Sequence, residues 1–267
     1  MVGGLGSVIW YGAVRLRDLD PGVTVVCVLR SGKDFKPAHV RQLYDGLVRW
    51  WPFRTMPFRF EVLSDVREAD NDVPLVTPIP LKHNWPGWWS KLELFRPDLD
   101  YLGDILYFDL DTVVVGDLTD IVLVNQLTML DDFYNPGMLG SGLMYLPMDV
   151  RHVVWDKWIR DPRTPMMRVR GDQEFIGGAF GYDRPRRWQR LLPGQVISYK
   201  ADIREPKEKT MPQDARVVCF HGRPRPWQVT LPRGGGQHEA HTQRPSRRSA
   251  CKTSAVKGSG CLRETQD

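Results

Sequence analysis

Residues 106–118 read LYFDLDTVVVGDL. Two carboxylates, Asp109 and Asp111, close the apolar run 105–108, and apolar residues resume at Val113. In an extended chain, residues two apart share a face, so the two acids can converge on one point. Carboxylates forced together repel, and one takes up a proton unless a cation lies between them. A hard divalent ion, Mn²⁺ or Mg²⁺, meets that need with oxygen ligands. The end of an α/β strand is also where such sheets bind ligands. The plain structural alternative is a solvated acid pair in a turn.

The elements around this pair follow an α/β pattern. VTVVCVLRSG (23–32) is an apolar, β-branched run that reads as a buried strand. Val40, Leu43, Leu47 and Trp51 recur at helical spacing between Pro37 and Pro52, and FRFEVLSD (58–65) reads as a second strand. Strand, helix, strand opens an α/β domain. A loop rich in Pro and Trp follows, LKHNWPGWWSKLELFRP (81–97), with a short helix expected over 90–96 before Pro97. LTMLDD (127–132), SGLMYL (141–146), QVISYK (195–200) and ARVVCFHG (215–222) are further strand candidates. Asp149 is placed to cap a helix carrying Val150, Val153, Val154 and Trp158, and GDQEFIGGAFG (171–181) reads as a short helix with a glycine-rich exit.

Composition and charge narrow the class. The chain has 267 residues, enough to bury a large core. The formal charge is +5, yet residues from Arg233 onward hold seven Arg/Lys against three Asp/Glu, so the excess lies in the tail. A specific nucleic-acid surface needs basic side chains on a folded face, and none is expected. No apolar run reaches the roughly 18 residues of a membrane span, and the start lacks the pattern of a signal peptide. Cys27, Cys219, Cys251 and Cys261 form no CxxC pair, which argues against a cysteine zinc site and for a reducing, cytoplasmic setting. The expected organisation is a poorly patterned extension (1–21), one catalytic domain (22–229) and a disordered basic tail (230–267).

Two families resemble the acidic stretch. DLDTV fits the D-x-D-x-[TV] motif of haloacid-dehalogenase-type phosphatases, in which the first Asp is a nucleophile beside Mg²⁺. In that family the motif lies on the first core strand, whereas here a strand–helix–strand unit precedes it. The second resemblance covers more of the chain, about 105–227. LYFDLDTVVVGDL, LGSGLMYL (139–146), GDQEFI (171–176) and VVCFHGRPRPW (217–227) occur in that order. They resemble, respectively, the YLDxDxxVxxDL, N-x-G-V, DQD and H-x-x-G-x-x-K-P-W stretches of GT-A-type glycosyltransferases of family 8, the group of glycogenin and bacterial galactosyltransferases.

That resemblance implies a GT-A-like (Rossmann-like) α/β fold with a central mixed sheet. It also implies a metal-dependent transfer of a hexose, with retention of configuration, from a nucleotide diphosphate sugar, expected to be a UDP-sugar, to an acceptor hydroxyl. Asp109, Asp111 and His221 would hold Mn²⁺ or Mg²⁺. Asp109 would also approach the donor ribose, and Asp65 and residues 25–29 would flank the base. Lys91, Gly222 and Arg225 would contact the donor, with Arg225 standing where the family has Lys. Asp172 and Gln173 would act on the donor sugar. His221 directly precedes Gly222, whereas the family's His lies three residues before its glycine; a shift of two preserves the strand face. Glu174 replaces the second Asp of DQD, and Gly140 stands at the family's Asn. A phosphatase, a nucleotidyltransferase of related fold and a non-catalytic sugar-nucleotide binder are the alternatives.

Other residues invite chemistry but have bland readings beside it. Trp85, Trp88 and Trp89 are stacking platforms or core. Asp131 and Asp132 follow a strand and are outer candidates. Ser31 and Ser141 lack histidine partners at any recognisable spacing. Gly177 and Gly178 form no phosphate fingerprint. Arg184, Arg186, Arg187 and Arg190 read as a solvated basic face, or as a site for an anionic acceptor.

Overall fold

A computed structural model describes residues 10–11, 14–15, 22–32, 34–52, 58–66 and 78–232. The expected extension 1–21 lies largely outside these residues, as do 233–267 with Cys251 and Cys261. In chain order the elements are β1 (Trp10–Tyr11), β2 (Val14–Arg15), β3 (Val23–Leu29), α1 (Pro37–Trp50), β4 (Arg59–Ser64), β5 (Ile79–Pro80), β6 (Asp104–Phe108), β7 (Thr112–Val114), α2 (Thr119–Val122), β8 (Thr128–Asp131) and β9 (Leu139–Leu146). They continue with α3 (His152–Arg160), α4 (Arg163–Arg168), α5 (Asp172–Phe180), β10 (Arg186–Arg187), α6 (Trp188–Leu191), β11 (Val196–Ser198) and β12 (Val217–Cys219).

Seven strands form the central sheet in the order β10-β8-β9-β6-β3-β4-β5. β3 pairs in parallel with both β4 and β6, and β6 pairs antiparallel with β9. The sheet is therefore mixed, as expected. Strand alternation sorts the side chains into two cores. Val25, Cys27 and Leu29 of β3, with Leu106 and Phe108 of β6, pack on Val40, Leu43 and Leu47 of α1. Val26 of β3, with Ile105 and Tyr107 of β6, packs on the opposite layer with Leu92, Leu94 and Trp158. Coverage on both faces is why β3 reads as an unbroken apolar run. Each buried Leu, Val or Phe contributes about 1.5–3 kcal/mol.

A second sheet, β11-β12-β7, joins the end of the acidic loop to the late part of the chain. β7 pairs antiparallel with β12, placing Thr112 opposite Cys219. Ile197, Ile203, Val218 and Phe220 supply its own small core.

Several local expectations change. The Pro/Trp loop forms a 3₁₀ helix over Gly87–Phe95, longer than the expected 90–96. It is anchored by Glu93, fully buried, which accepts from Lys82 N (2.7 Å), His83 N (2.8 Å) and the Arg96 guanidinium (2.5 Å). Asp149 caps nothing: it lies in a separate 3₁₀ turn, Met148–Val150, and α3 starts after Arg151. The expected strand 195–200 stops at Ser198, because the Ser198 hydroxyl accepts from Lys200 N and Ala201 N and turns the chain into a π-helical segment, Tyr199–Arg204. Trp85 and Trp89 are core residues against Trp158, while Trp88 is 55% exposed.

Candidate active site

The acidic pair does not sit in extended chain. Thr112 N donates to Asp109 O (3.0 Å), so residues 109–112 close a turn between β6 and β7. The two side chains share a cavity because of that turn and not because of strand alternation. The cavity measures about 820 Å³ and opens where β3 and β6 end beside the antiparallel β9. Lys91, Asp109, Asp111, Asp172, Gln173, His221, Gly222 and Arg225 all lie on its wall.

Lys91 organises one side. Its ammonium lies 2.9 Å from Asp109 Oδ1, 2.9 Å from Asp172 Oδ2 and 2.9 Å from Ser141 Oγ. Ser141 Oγ in turn donates to Asp172 Oδ2 (2.6 Å), and the Tyr107 hydroxyl donates to Asp109 Oδ1 (2.5 Å). Burial pulls the Lys91 ammonium towards the neutral form, but the Asp109 and Asp172 carboxylates outweigh it and hold its pKa above the ordinary lysine value. Burial and the Asp109 charge push the Tyr107 phenol well up, so it stays a donor. Asp172 reaches this cluster from the first turn of α5, while Gln173 beside it is exposed on the cavity wall.

The other side carries Asp111. Its Oδ2 is ion-paired to Arg225, whose Nε also lies 3.4 Å from Asp34 Oδ2. Arg223 reaches the same Asp34 at 3.2 Å. Burial first, then the neighbouring Asp109 charge, raise the Asp111 carboxyl to about 7, against the opposing pull of Arg225 and Lys91. A bound cation would relieve the repulsion between the two carboxyls, and in that respect the pair fits Mn²⁺ or Mg²⁺.

His221 does not complete that set. It lies beyond β12 on the cavity wall, but its Nε2 is 2.7 Å from Ser198 Oγ, and its ring stacks on Phe133 at 5.5 Å. Among the described residues no three His, Cys, Asp or Glu side chains are gathered to hold a metal ion. The expectation that the imidazole joins the two carboxylates is therefore not met in this structure. The ring is instead held by its bond to Ser198 and its stacking on Phe133. Burial and the nearby Lys200 charge lower its pKa and keep the ring neutral.

The remaining candidates separate clearly. Asp65 is exposed and is not on the wall. It accepts from Ser31 N (2.8 Å) and Ser31 Oγ (2.6 Å) and pairs with Arg30 (3.2 Å), and Ser31 and Arg30 do line the cavity. Of residues 25–29 only Val28 reaches the wall. Gly222 has φ +74°, a conformation that favours glycine. Asp131 and Asp132 also border the cavity, but Asp131 is taken up by Arg187 and Arg190, each at 2.9 Å. Arg187 is buried, so the basic stretch is only partly a solvated face. Sequence reasoning missed Ser141, Tyr107 and Asp34 as site residues. The weak available signals were an acid just after the Ser31-Gly32 turn and a tyrosine two residues before Asp109.

No protein-family model matches the chain, and no curated protein matches it. Solved structures do. The glycosyltransferase GlyE of Streptococcus pneumoniae TIGR4 aligns over 78% of this chain and 56% of its own, at 17% identity and TM-score 0.50. The galactosyltransferase LgtC, solved with donor and acceptor sugar analogs, aligns over 78% of this chain and 90% of its own, at 14% identity and TM-score 0.53. The bifunctional glycosyltransferase WbbM gives 79% and 47%, at 15% identity and TM-score 0.55. The chain thus spans little more than half of GlyE and under half of WbbM, but most of LgtC. What it shares with these glycosyltransferases is their fold, a GT-A-like mixed α/β sheet.

Proposed function

We propose that this chain is a glycosyltransferase that moves a hexosyl group from a nucleoside diphosphate sugar, with a UDP-sugar the expected donor, to an acceptor hydroxyl. The carrying observation is the cavity at the β6 edge, where Lys91, Asp109, Asp172, Asp111 and Arg225 converge in a space large enough for such a donor. The shared fold supports the same reading. In the transfer, the bond from the anomeric carbon to the diphosphate oxygen breaks and the bond to the acceptor oxygen forms. The proton of the acceptor hydroxyl leaves to the diphosphate or to water.

The chain's own residues divide the work. Arg225 presents a planar fork of N–H donors, suited to phosphate oxygens, and Asp34 and Asp111 hold its plane. Lys91 fixes Asp109 and Asp172 relative to each other, and Ser141 locks the Asp172 carboxylate. Asp172 and Gln173 then face the donor sugar as hydrogen-bonding groups. Asp109 and Asp111 would hold Mn²⁺ or Mg²⁺, which when bound neutralises charge on the leaving diphosphate. His221 would need to leave Ser198 to take part. Resemblance to family 8 supports retention of the anomeric configuration. A phosphatase mechanism is disfavoured because Asp109, its would-be nucleophile, already binds the Lys91 ammonium and the Tyr107 hydroxyl.

The test is incubation with UDP-glucose or UDP-galactose and Mn²⁺, following UDP release, with Asp109→Asn, Asp111→Asn and chelator controls. Metal-dependent UDP release lost in both variants supports the proposal. Phosphate release from simple phosphomonoesters points to the phosphatase. Donor binding without turnover across an acceptor panel points to a binder.

A further inference from the structure

The π-helical segment Tyr199–Arg204 carries a cation that nothing described so far uses. Lys200 is half-buried, and its ammonium has no hydrogen-bond or ion-pair acceptor among the described residues. The two acids nearest in sequence are engaged elsewhere: Asp202 accepts from Ser198 N (2.7 Å), and Glu205 accepts from the Tyr134 hydroxyl (2.5 Å). A half-buried ammonium without an acceptor forgoes the charge-assisted hydrogen bonds it can make.

Its position is defined by Gly222. A Cβ built on that glycine would lie 3.6 Å from Lys200 Nζ, so the absent side chain leaves the ammonium adjacent to the cavity wall. Lys200 is also the largest neighbouring charge acting on His221, which lines the same cavity. The placement is built and not incidental. The Ser198 hydroxyl accepts from Lys200 N (3.1 Å) and bonds His221 Nε2 (2.7 Å), so one side chain fixes both the lysine's backbone and the imidazole. Arg225 stands three residues beyond Gly222, on the same wall.

We propose that Lys200 is a second phosphate-binding cation of this site, and that the ammonium beside Gly222 and the Arg225 guanidinium together receive the diphosphate of the donor. This inference rests on the donor reading above and adds the residue that grips the anion. The ligand chemistry is a nucleoside diphosphate. Inorganic diphosphate is held by the same pair, whereas a bare nucleoside is not.

The experiment measures Kd by calorimetry for UDP, diphosphate and uridine, with Mn²⁺ present, on the full chain and its Lys200→Met and Lys200→Arg variants. Loss of one charge-assisted contact weakens UDP and diphosphate about tenfold to a hundredfold in Lys200→Met. Uridine affinity stays the same in all three proteins, and Lys200→Arg recovers most of the UDP affinity. The wild-type UDP affinity falls more steeply with salt than that of Lys200→Met. Unchanged UDP binding in Lys200→Met, with wild-type binding intact, overturns the role of Lys200 alone. An equal loss for uridine overturns it as well, because the effect is then structural. Failure of the wild-type chain to bind UDP overturns the donor reading and this inference together.

Discussion

Replacing Lys91 by Met removes the one cation that, among the described residues, pairs with both Asp109 and Asp172. The Lys91 side chain is 7% exposed and that of Asp172 is 9% exposed, so water does little to replace the lost charge. Breaking a buried pair by removing one partner costs about 3–5 kcal/mol, because the remaining charge is uncompensated. Met matches the length of the stem, so lost packing adds little. At neutral pH the variant is expected to unfold at a urea concentration lower by roughly 1–2 M, taking an m-value near 3 kcal/mol/M.

A second substitution, Asp172→Asn, is expected to restore part of the stability in Lys91→Met while being destabilising alone, giving a coupling of about 1–3 kcal/mol. Urea titrations of the two single variants and the double variant test this. A Lys91→Met variant within about 1 kcal/mol of wild type at neutral pH, or strict additivity of the two substitutions, refutes the reasoning.

Asp111 should titrate near 7, as its burial and the Asp109 charge require. The folded state therefore holds a proton that the unfolded state has released between about pH 4 and 7, and the stability derived from it is lost as pH rises through that window. Asp109→Asn removes the neighbouring charge and should bring the Asp111 carboxyl down, read by carbon-detected NMR; identical titration in both proteins contradicts the assignment. The two fully buried tryptophans Trp158 and Trp188 offer a separate test. Trp188 Nε1 donates to Leu143 O at 3.0 Å, whereas Trp158 Nε1 has no hydrogen-bond partner among the described residues. Trp188→Phe should cost about 1–2 kcal/mol more than Trp158→Phe in urea unfolding, and equal losses would remove the hydrogen bond from the account.

The sequence already displayed the elements whose signal is local. β3 and β6 are apolar runs, β4 and β9 carry apolar residues between turn signals, and α1 has its apolar spacing between two prolines. β7 and β10 went unread because two or three residues hold no period, and only pairing with β12 and β8 makes them strands. The site divides in the same way. Asp109, Asp111, Lys91 and Asp172 stand out by type and neighbourhood. Ser141 was set aside for want of a histidine partner. Its actual partners, Lys91 and Asp172, become visible only when β9 is laid beside β6. His221 reaches the same cavity wall as the acidic pair, and its bond to Ser198 is visible only in the fold.

The pairing of β7 with β12 joins two stretches that leave the ribosome far apart in time. During synthesis the loop bearing Asp109 and Asp111 emerges early and lacks its β12 brace. Only when Val217–Cys219 arrives does that brace form, and the same segment brings in His221 and Arg225. Closing such a long loop is slow and entropically costly. A growing chain interrupted before this point would possess a nearly complete main sheet and an open, unfinished anion pocket.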